Sequence, residues 1–231
     1  MIVMIMRNLL YWFLDYVYVA KQLLRSVLIP RNPFSYRMPG SKPLILLPGV
    51  YENWRFMQPM ARYLFQQGYD VHVIDTLGYN VHSIEDTARL VVNYIETNDL
   101  SNVSIIAHSK GGLVGKFVMS LVPVPETVNG LIAINTPFAG SKYASFLPSK
   151  SLRMFIPNSR ILLQLAKLIV PNKRIVSIYG MFDPHIPEGS SLDGARNIQI
   201  PSSYGHFRPL KNPAVLREVL ESIKRMDADE S

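Results

Sequence analysis

The chain has 231 residues, 48% of them apolar, and a net charge of +7, from 24 lysines and arginines against 17 aspartates and glutamates. That length and apolar share suffice for one large core. With no cysteine, disulfides and cysteine-based metal sites are excluded, and five histidines are too scattered for zinc-ligand spacing, so no cofactor or metal is expected. The basic balance favours anionic surfaces in general, but the cations are dispersed and no zinc-finger, RNA-binding or basic-helix pattern accompanies them, which argues against nucleic acid as a partner.

Residues 1–30 are expected to form an N-terminal amphipathic helix apart from a domain spanning 31–231. From about Asn8 to Val27, one side carries Asn8, Tyr11, Asp15, Tyr18, Lys21, Gln22 and Arg25. The other carries Leu9, Trp12, Phe13, Tyr16, Val17, Ala20, Leu23, Leu24 and Val27. Asp15, Lys21 and Arg25 break the apolar run below the ~20 residues needed to cross a bilayer. No small-x-small cleavage site follows it, so a secretory signal is not expected. Two roles remain: docking on the domain, the default for such a pattern, or peripheral contact with a membrane through residues 8–27. The expected location is cytoplasmic, at the membrane surface in the second case.

Pro43 to Leu47 is a short, continuously apolar run, as expected of a strand buried on both faces. It ends in Pro48-Gly49-Val50-Tyr51 before a helix predicted from about Asn53 to Gln67. Next come a strand from Asp70 to Ile74, a turn through Asn80 and a helix from about Ile84 to Glu96. The run Val103-Ser104-Ile105-Ile106-Ala107-His108-Ser109-Lys110-Gly111-Gly112 is the most informative stretch, because it sets a serine at a sharp turn between an apolar strand and a helix, placed at about Gly112 to Leu121. A serine attacks an acyl group only if its hydroxyl stands clear of its own backbone, and a strained strand-to-helix elbow provides that exposure. Such an elbow needs small residues two before and two after the serine, here Ala107 and Gly111. Ser109 is therefore the candidate nucleophile.

A helix N-terminus also presents backbone N–H groups to a developing oxyanion. The candidate donors are the N–H of Lys110, just after the serine, and that of Val50 in the loop after the first strand; alone, that loop reads equally as an ordinary glycine-containing turn. Further strands are predicted at Gly130 to Asn135, Arg174 to Tyr179 and Ala195 to Ile200. Strands alternating with helices imply a parallel sheet with helices on both faces and a site at the carboxyl ends of the strands.

That placement selects Asp183, in the turn after the strand ending at Tyr179, as the acid, and His206, beyond the last strand, as the base. The order Ser109, Asp183, His206 is that of an α/β-hydrolase. Asp75 also ends a strand and is the competing acid. His185 is expected at the mouth of the site, His108 in a packing role, and His72 and His82 in structural or surface roles. Residues 142–173 read either as a small helical cap with apolar residues toward an acyl chain or as a plain crossover over the sheet.

Together, Leu47-Pro48-Gly49-Val50, Ala107-His108-Ser109-Lys110-Gly111-Gly112, Asn135-Thr136-Pro137-Phe138-Ala139-Gly140-Ser141 and the Asp183 and His206 loops resemble the α/β-hydrolase superfamily from about Pro43 to the C-terminus, in a branch like that of bacterial lipases and esterases. The chain departs from the usual pattern at Pro48, where many lipases have histidine, and at Ala107, where the elbow more often has glycine. The resemblance implies a Ser-Asp-His hydrolase of carboxylic esters, with lipid esters among its candidate substrates. An acyltransferase using the same triad and a catalytically idle binding scaffold are the alternatives, since one fold hosts many chemistries.

Overall fold

The structure is a computed structural model that describes residues 2–28, 32–146 and 149–228. Residues 1 and 29–31, around the expected boundary between helix and domain, and Leu147 and Pro148 of the expected cap lie outside the described residues.

A long helix, α1 (Ile2–Leu28), precedes strand β1 (Pro43–Leu47). The chain then runs through α2 (Gln58–Gln66), β2 (Asp70–Val73), α3 (Ile84–Thr97), β3 (Val103–His108), α4 (Lys110–Val118) and β4 (Val128–Ile134). Two short helices, α5 (Lys150–Arg153) and α6 (Arg160–Lys167), lead to β5 (Ile175–Phe182), β6 (Arg196–Tyr204) and α7 (Pro213–Ala228). The six strands form one sheet in the order β2-β1-β3-β4-β5-β6, and every neighbouring pair is parallel. The fold is that of an α/β-hydrolase.

The strands are apolar throughout because both faces are covered. Ile45, Leu47, Ile105, Ala107, Leu131 and Ala133 face α3, α4 and α6 in one core. Their neighbours Leu44, Leu46, Ile106, Ile132 and Ile134 face α2 and α7 in the other. This alternation by two makes the register rigid, since a slip of one residue would exchange the two faces. Leu47 pairs with Ala107, and Ala107 with Ala133, so the loops leaving the strands emerge at one edge.

Several boundaries differ from expectation. The segment expected to be helical from Asn53 begins as a 3-10 turn, Trp54–Met57, capped by the Asn53 side chain on the Arg55 N–H at 3.1 Å. Helix α4 starts immediately after Ser109 rather than at Gly112. Strands β5 and β6 extend to Phe182 and Tyr204, beyond Tyr179 and Ile200, because their ends pair with each other, Phe182 opposite Tyr204. Helix α7 was not expected. Its cap, Asn212 accepting from the Ala214 N–H at 2.9 Å, and its buried stripe of Val215, Val219, Ile223 and Met226 are both present in the sequence.

The largest departure concerns α1. Its polar side meets the domain and much of its apolar side faces out. Asp15, Tyr18 and Gln22 are buried, whereas Leu9, Leu10, Trp12, Phe13, Tyr16, Val17, Leu23 and Leu24 are exposed. Directed bonds hold the inner side. The Tyr18 hydroxyl donates to the Phe56 carbonyl at 3.1 Å, and Gln22 Nε2 donates to the Tyr18 hydroxyl and the Arg55 carbonyl. The Tyr11 ring stacks on Tyr204 at 4.2 Å. Among the described residues, no helix is long and apolar enough to cross a membrane.

Candidate active site

Ser109 sits between β3 and α4 at φ 51° and ψ −119°, a left-handed conformation that costs a non-glycine residue about 1–3 kcal/mol and persists only where its surroundings impose it. Its N–H donates to the Ile134 carbonyl at 2.9 Å, and its carbonyl accepts from the Gly112 N–H at 3.0 Å. The glycines that follow admit no side chain. A Cβ on Gly111 would collide with the Leu47 carbonyl, and one on Gly112 with the Thr136 side chain. The elbow is thus wedged between the ends of β1 and β4.

Asp183 and His206 stand at the ends of the paired strands β5 and β6. His206 Nδ1 donates to Asp183 Oδ2 at 2.7 Å, while Asp183 Oδ1 accepts from the His185 N–H at 2.8 Å and the Ile186 N–H at 3.2 Å. A carboxylate can only accept, so the ring proton lies on Nδ1 and leaves the lone pair on Nε2. Burial alone would raise the Asp183 carboxyl, but the charge of His206, its hydrogen bond and the His185 N–H outweigh it and hold the carboxyl below its ordinary range. Burial alone would lower the His206 imidazole, but the Asp183 charge and hydrogen bond, with the charges of Asp15 and Glu52, hold it above its ordinary range.

Ser109 and His206 line one cavity of about 390 Å³, with Val50, Pro137, Leu152 and Phe155 among its apolar walls. Val50 therefore lies at the cavity. Lys110 opens α4, and its fully buried side chain donates to Asn80 O, Asn80 Oδ1 and His82 O at 2.6–2.8 Å. Burial lowers that ammonium to a pKa of about 8. The 142–173 segment supplies cavity walls through Tyr143, Ala144, Leu152 and Phe155, while Ile161, Leu162 and Leu165 of α6 cover the sheet.

The other ionisable residues divide clearly. Asp75 is exposed and accepts from Trp54 Nε1 at 2.8 Å, away from His206. His185 lines the cavity, its ring 4.8 Å from that of His206; burial, with the charge of His206, depresses it to a pKa of about 4, so it is neutral at neutral pH. His72 is buried against Asp70 and Tyr94, and His82 is exposed. His108 does more than pack. Its Nε2 donates to the His206 carbonyl at 2.9 Å, and its Nδ1 lies 2.8 Å from Glu52, whose carboxyl also accepts from the Gly49 N–H at 3.1 Å.

Two further groups fix the His206 loop. Asn135 Nδ2 donates to the carbonyls of Gly205 and His206 at 3.0 and 3.1 Å. Asp15 of α1, fully buried, accepts from the N–H groups of His206, Phe207 and Arg208 at 2.8–3.0 Å. Burial raises its carboxyl, although all three N–H groups pull the other way. Tyr16 and Val19 of the same helix line the cavity itself. Asp15 stands in the sequence as an interruption of an apolar run, and an acid sharing a helix side with Tyr11, Tyr18 and Gln22 was the available signal. Among the described residues, no cluster of three or more His, Cys, Asp or Glu side chains is arranged to hold a metal ion.

A family model for the alpha/beta hydrolase fold matches residues 42–156. Comparison with curated proteins finds no sequence match. Among solved structures, Aspergillus fumigatus lipase B superposes with a TM-score of 0.63 at 19% identity, over 80% of this chain and 53% of that one. An alpha/beta hydrolase enzyme from the metagenome of lagoon sediments at Mar Chica, Morocco, gives 0.59 at 18% identity, over 81% and 92%. A carboxylesterase structure from the thaumarchaeon Nitrososphaera gargenis gives 0.57 at 14% identity, over 84% and 94%. At these identities the superpositions speak for the fold. With the family match across β1 to β4, the chain has the fold of the α/β-hydrolase superfamily.

Proposed function

We propose that the protein is a serine hydrolase of carboxylic esters. The observation that carries this reading is the Asp183–His206 hydrogen bond at 2.7 Å beside a cavity that Ser109, at its strained elbow, also lines. Similar folds described as a lipase and a carboxylesterase support it. In this mechanism His206 Nε2 takes the Ser109 proton as the hydroxyl oxygen attacks the ester carbonyl. The N–H groups of Val50 and Lys110 receive the oxyanion, and Asp183 stabilises the imidazolium. His206 then returns the proton to the departing alcohol, leaving an acyl-serine that water cleaves by the same route. The apolar walls suit the acyl portion, which makes esters with apolar acyl groups the preferred class.

A fluorophosphonate probe and nitrophenyl esters of increasing chain length test this reading. The protein should be labelled on Ser109 and turn over the esters, and Ser109→Ala should lose both, by roughly 10⁶-fold in turnover. Undiminished hydrolysis by a folded Ser109→Ala protein would overturn it.

A further inference from the structure

Helix α1 is two-sided in an unusual sense: hydrogen bonds tie its polar side to the domain, and much of its apolar side is exposed. Phe13 is 64% exposed and Leu24 60%, and with Leu10 and Val17 they form a row at helical spacing. Leu9, Trp12 and Tyr16, beside that row, form one wall of a groove completed by Tyr143 and Met181. Tyr16 and Tyr143 also line the Ser109 cavity, so the exposed apolar surface is continuous with its wall.

The exposed charges of α1 itself have one sign. Asp15, the only acid of α1, is buried, while Arg7, Lys21 and Arg25 are exposed. Arg208 and Lys211 extend the cationic side from the neighbouring loop, Lys211 lying 5.1 Å from the Tyr18 ring and Arg208 5.9 Å from the Tyr11 ring. Burial, with the charges of Arg208, Lys21 and Arg25, pushes the Lys211 ammonium below its usual range. An apolar strip rich in aromatic rings and bordered by cations suits a headgroup and acyl-chain boundary. A second copy of the chain would bring the same cations together, whereas anionic lipid neutralises them.

We propose that α1 lays its outward side on an anionic lipid surface, with the mouth of the Ser109 cavity beside that surface. Delivery of a lipid ester to Ser109 from the bilayer rests on the function proposed above; the lipid contact itself does not.

The test uses the full chain with phosphatidylcholine vesicles, with and without phosphatidylglycerol. The protein should sediment with the anionic vesicles and be released as salt rises from about 0.1 M to about 1 M, which shortens the screening length from roughly 10 Å to 3 Å. Trp12 is exposed and Trp54 is 3% exposed, so a blue shift of tryptophan fluorescence on vesicle addition reports Trp12 without any substitution. Phe13→Glu with Leu24→Glu should weaken binding by about tenfold or more while the melting temperature holds. Ser109→Ala should bind as the parent does, which separates failure of the lipid contact from failure of the hydrolase reading. Absence of both sedimentation and blue shift, or a concentration-dependent dimer that the double substitution dissolves, would overturn the proposal.

Discussion

The Asp15 carboxylate accepts the His206 backbone N–H at 2.8 Å across 191 residues of sequence, and the N–H groups of Phe207 and Arg208 beside it. Helix α1 is therefore a support for the loop that carries the proposed base. Gly205 is shaped by the same contact: at φ 96°, a Cβ there would stand 2.5 Å from Asp15 Oδ1.

Replacing Asp15 by alanine should leave these N–H groups without their acceptor, at about 1–3 kcal/mol for each that stays buried. We expect a stability loss of roughly 2–4 kcal/mol by urea denaturation and slower fluorophosphonate labelling, since His206 would lose its fixed position. Unchanged stability and labelling would mean that the helix merely rests on the domain.

The strands were legible because a doubly covered parallel sheet demands short apolar runs, and those at Pro43 to Leu47 and Val103 to His108 are of that kind. The elbow was legible for a related reason: small residues at 107 and 111, either side of a serine between strand and helix, serve chiefly to let the chain turn sharply there. The inversion of α1 was not. Periodicity reveals that a helix has two sides, and the usual expectation turns the apolar one inward; here the inward side is fixed by Asp15, Tyr18 and Gln22, whose partners lie in loops far along the chain. The same limit hid Glu52 and Asn135, because neither pairs with anything near it in sequence that marks its role.

Asp183 and Asp75, the two acids considered for the triad, should separate sharply. Asp183→Asn should lower turnover by roughly 10⁴-fold. Asp75→Asn should have little effect on turnover, because the Asp75 carboxylate is exposed and holds the Trp54 indole rather than His206. A severe loss from Asp75→Asn with a mild one from Asp183→Asn would exchange their roles.

The pH profile follows from the same pair. His206 must be neutral to accept a proton, so kcat/KM falls as pH drops through its pKa, which Asp183 holds above the ordinary 6.5. The acid limb of the parent should therefore lie above pH 6.5. In Asp183→Asn the main opposing charge is gone and burial favours the neutral ring, so the residual activity should show its acid limb at lower pH. A limb that stays in place would assign it to another group.

The backbone strain at Ser109 predicts a stability effect opposite to its effect on activity. Glycine adopts φ 51° freely, whereas alanine keeps the strain. Ser109→Gly should gain about 1 kcal/mol over Ser109→Ala in chemical denaturation, once roughly 0.5–1 kcal/mol is subtracted for glycine's larger unfolded-state freedom. If Ser109→Gly is the less stable of the two, the elbow is not strained in solution.

Glu52 and His108 form a buried acid–imidazole pair directly behind the proposed triad. His108 Nε2 donates to the His206 carbonyl at 2.9 Å, and its Nδ1 lies 2.8 Å from the Glu52 carboxyl. Removing either partner leaves the other buried without its match: His108→Leu strands the Glu52 carboxyl with the Gly49 N–H, and Glu52→Leu strands the imidazole. Each single change should cost about 3–5 kcal/mol, as for other broken buried pairs, and the double change less than their sum, with a coupling of roughly 1–3 kcal/mol. Denaturation of the four proteins of the cycle measures this directly. Strictly additive losses would mean that His108 acts through packing alone, as its place beside the nucleophile first suggests, and that the carboxyl finds other partners when the ring is removed.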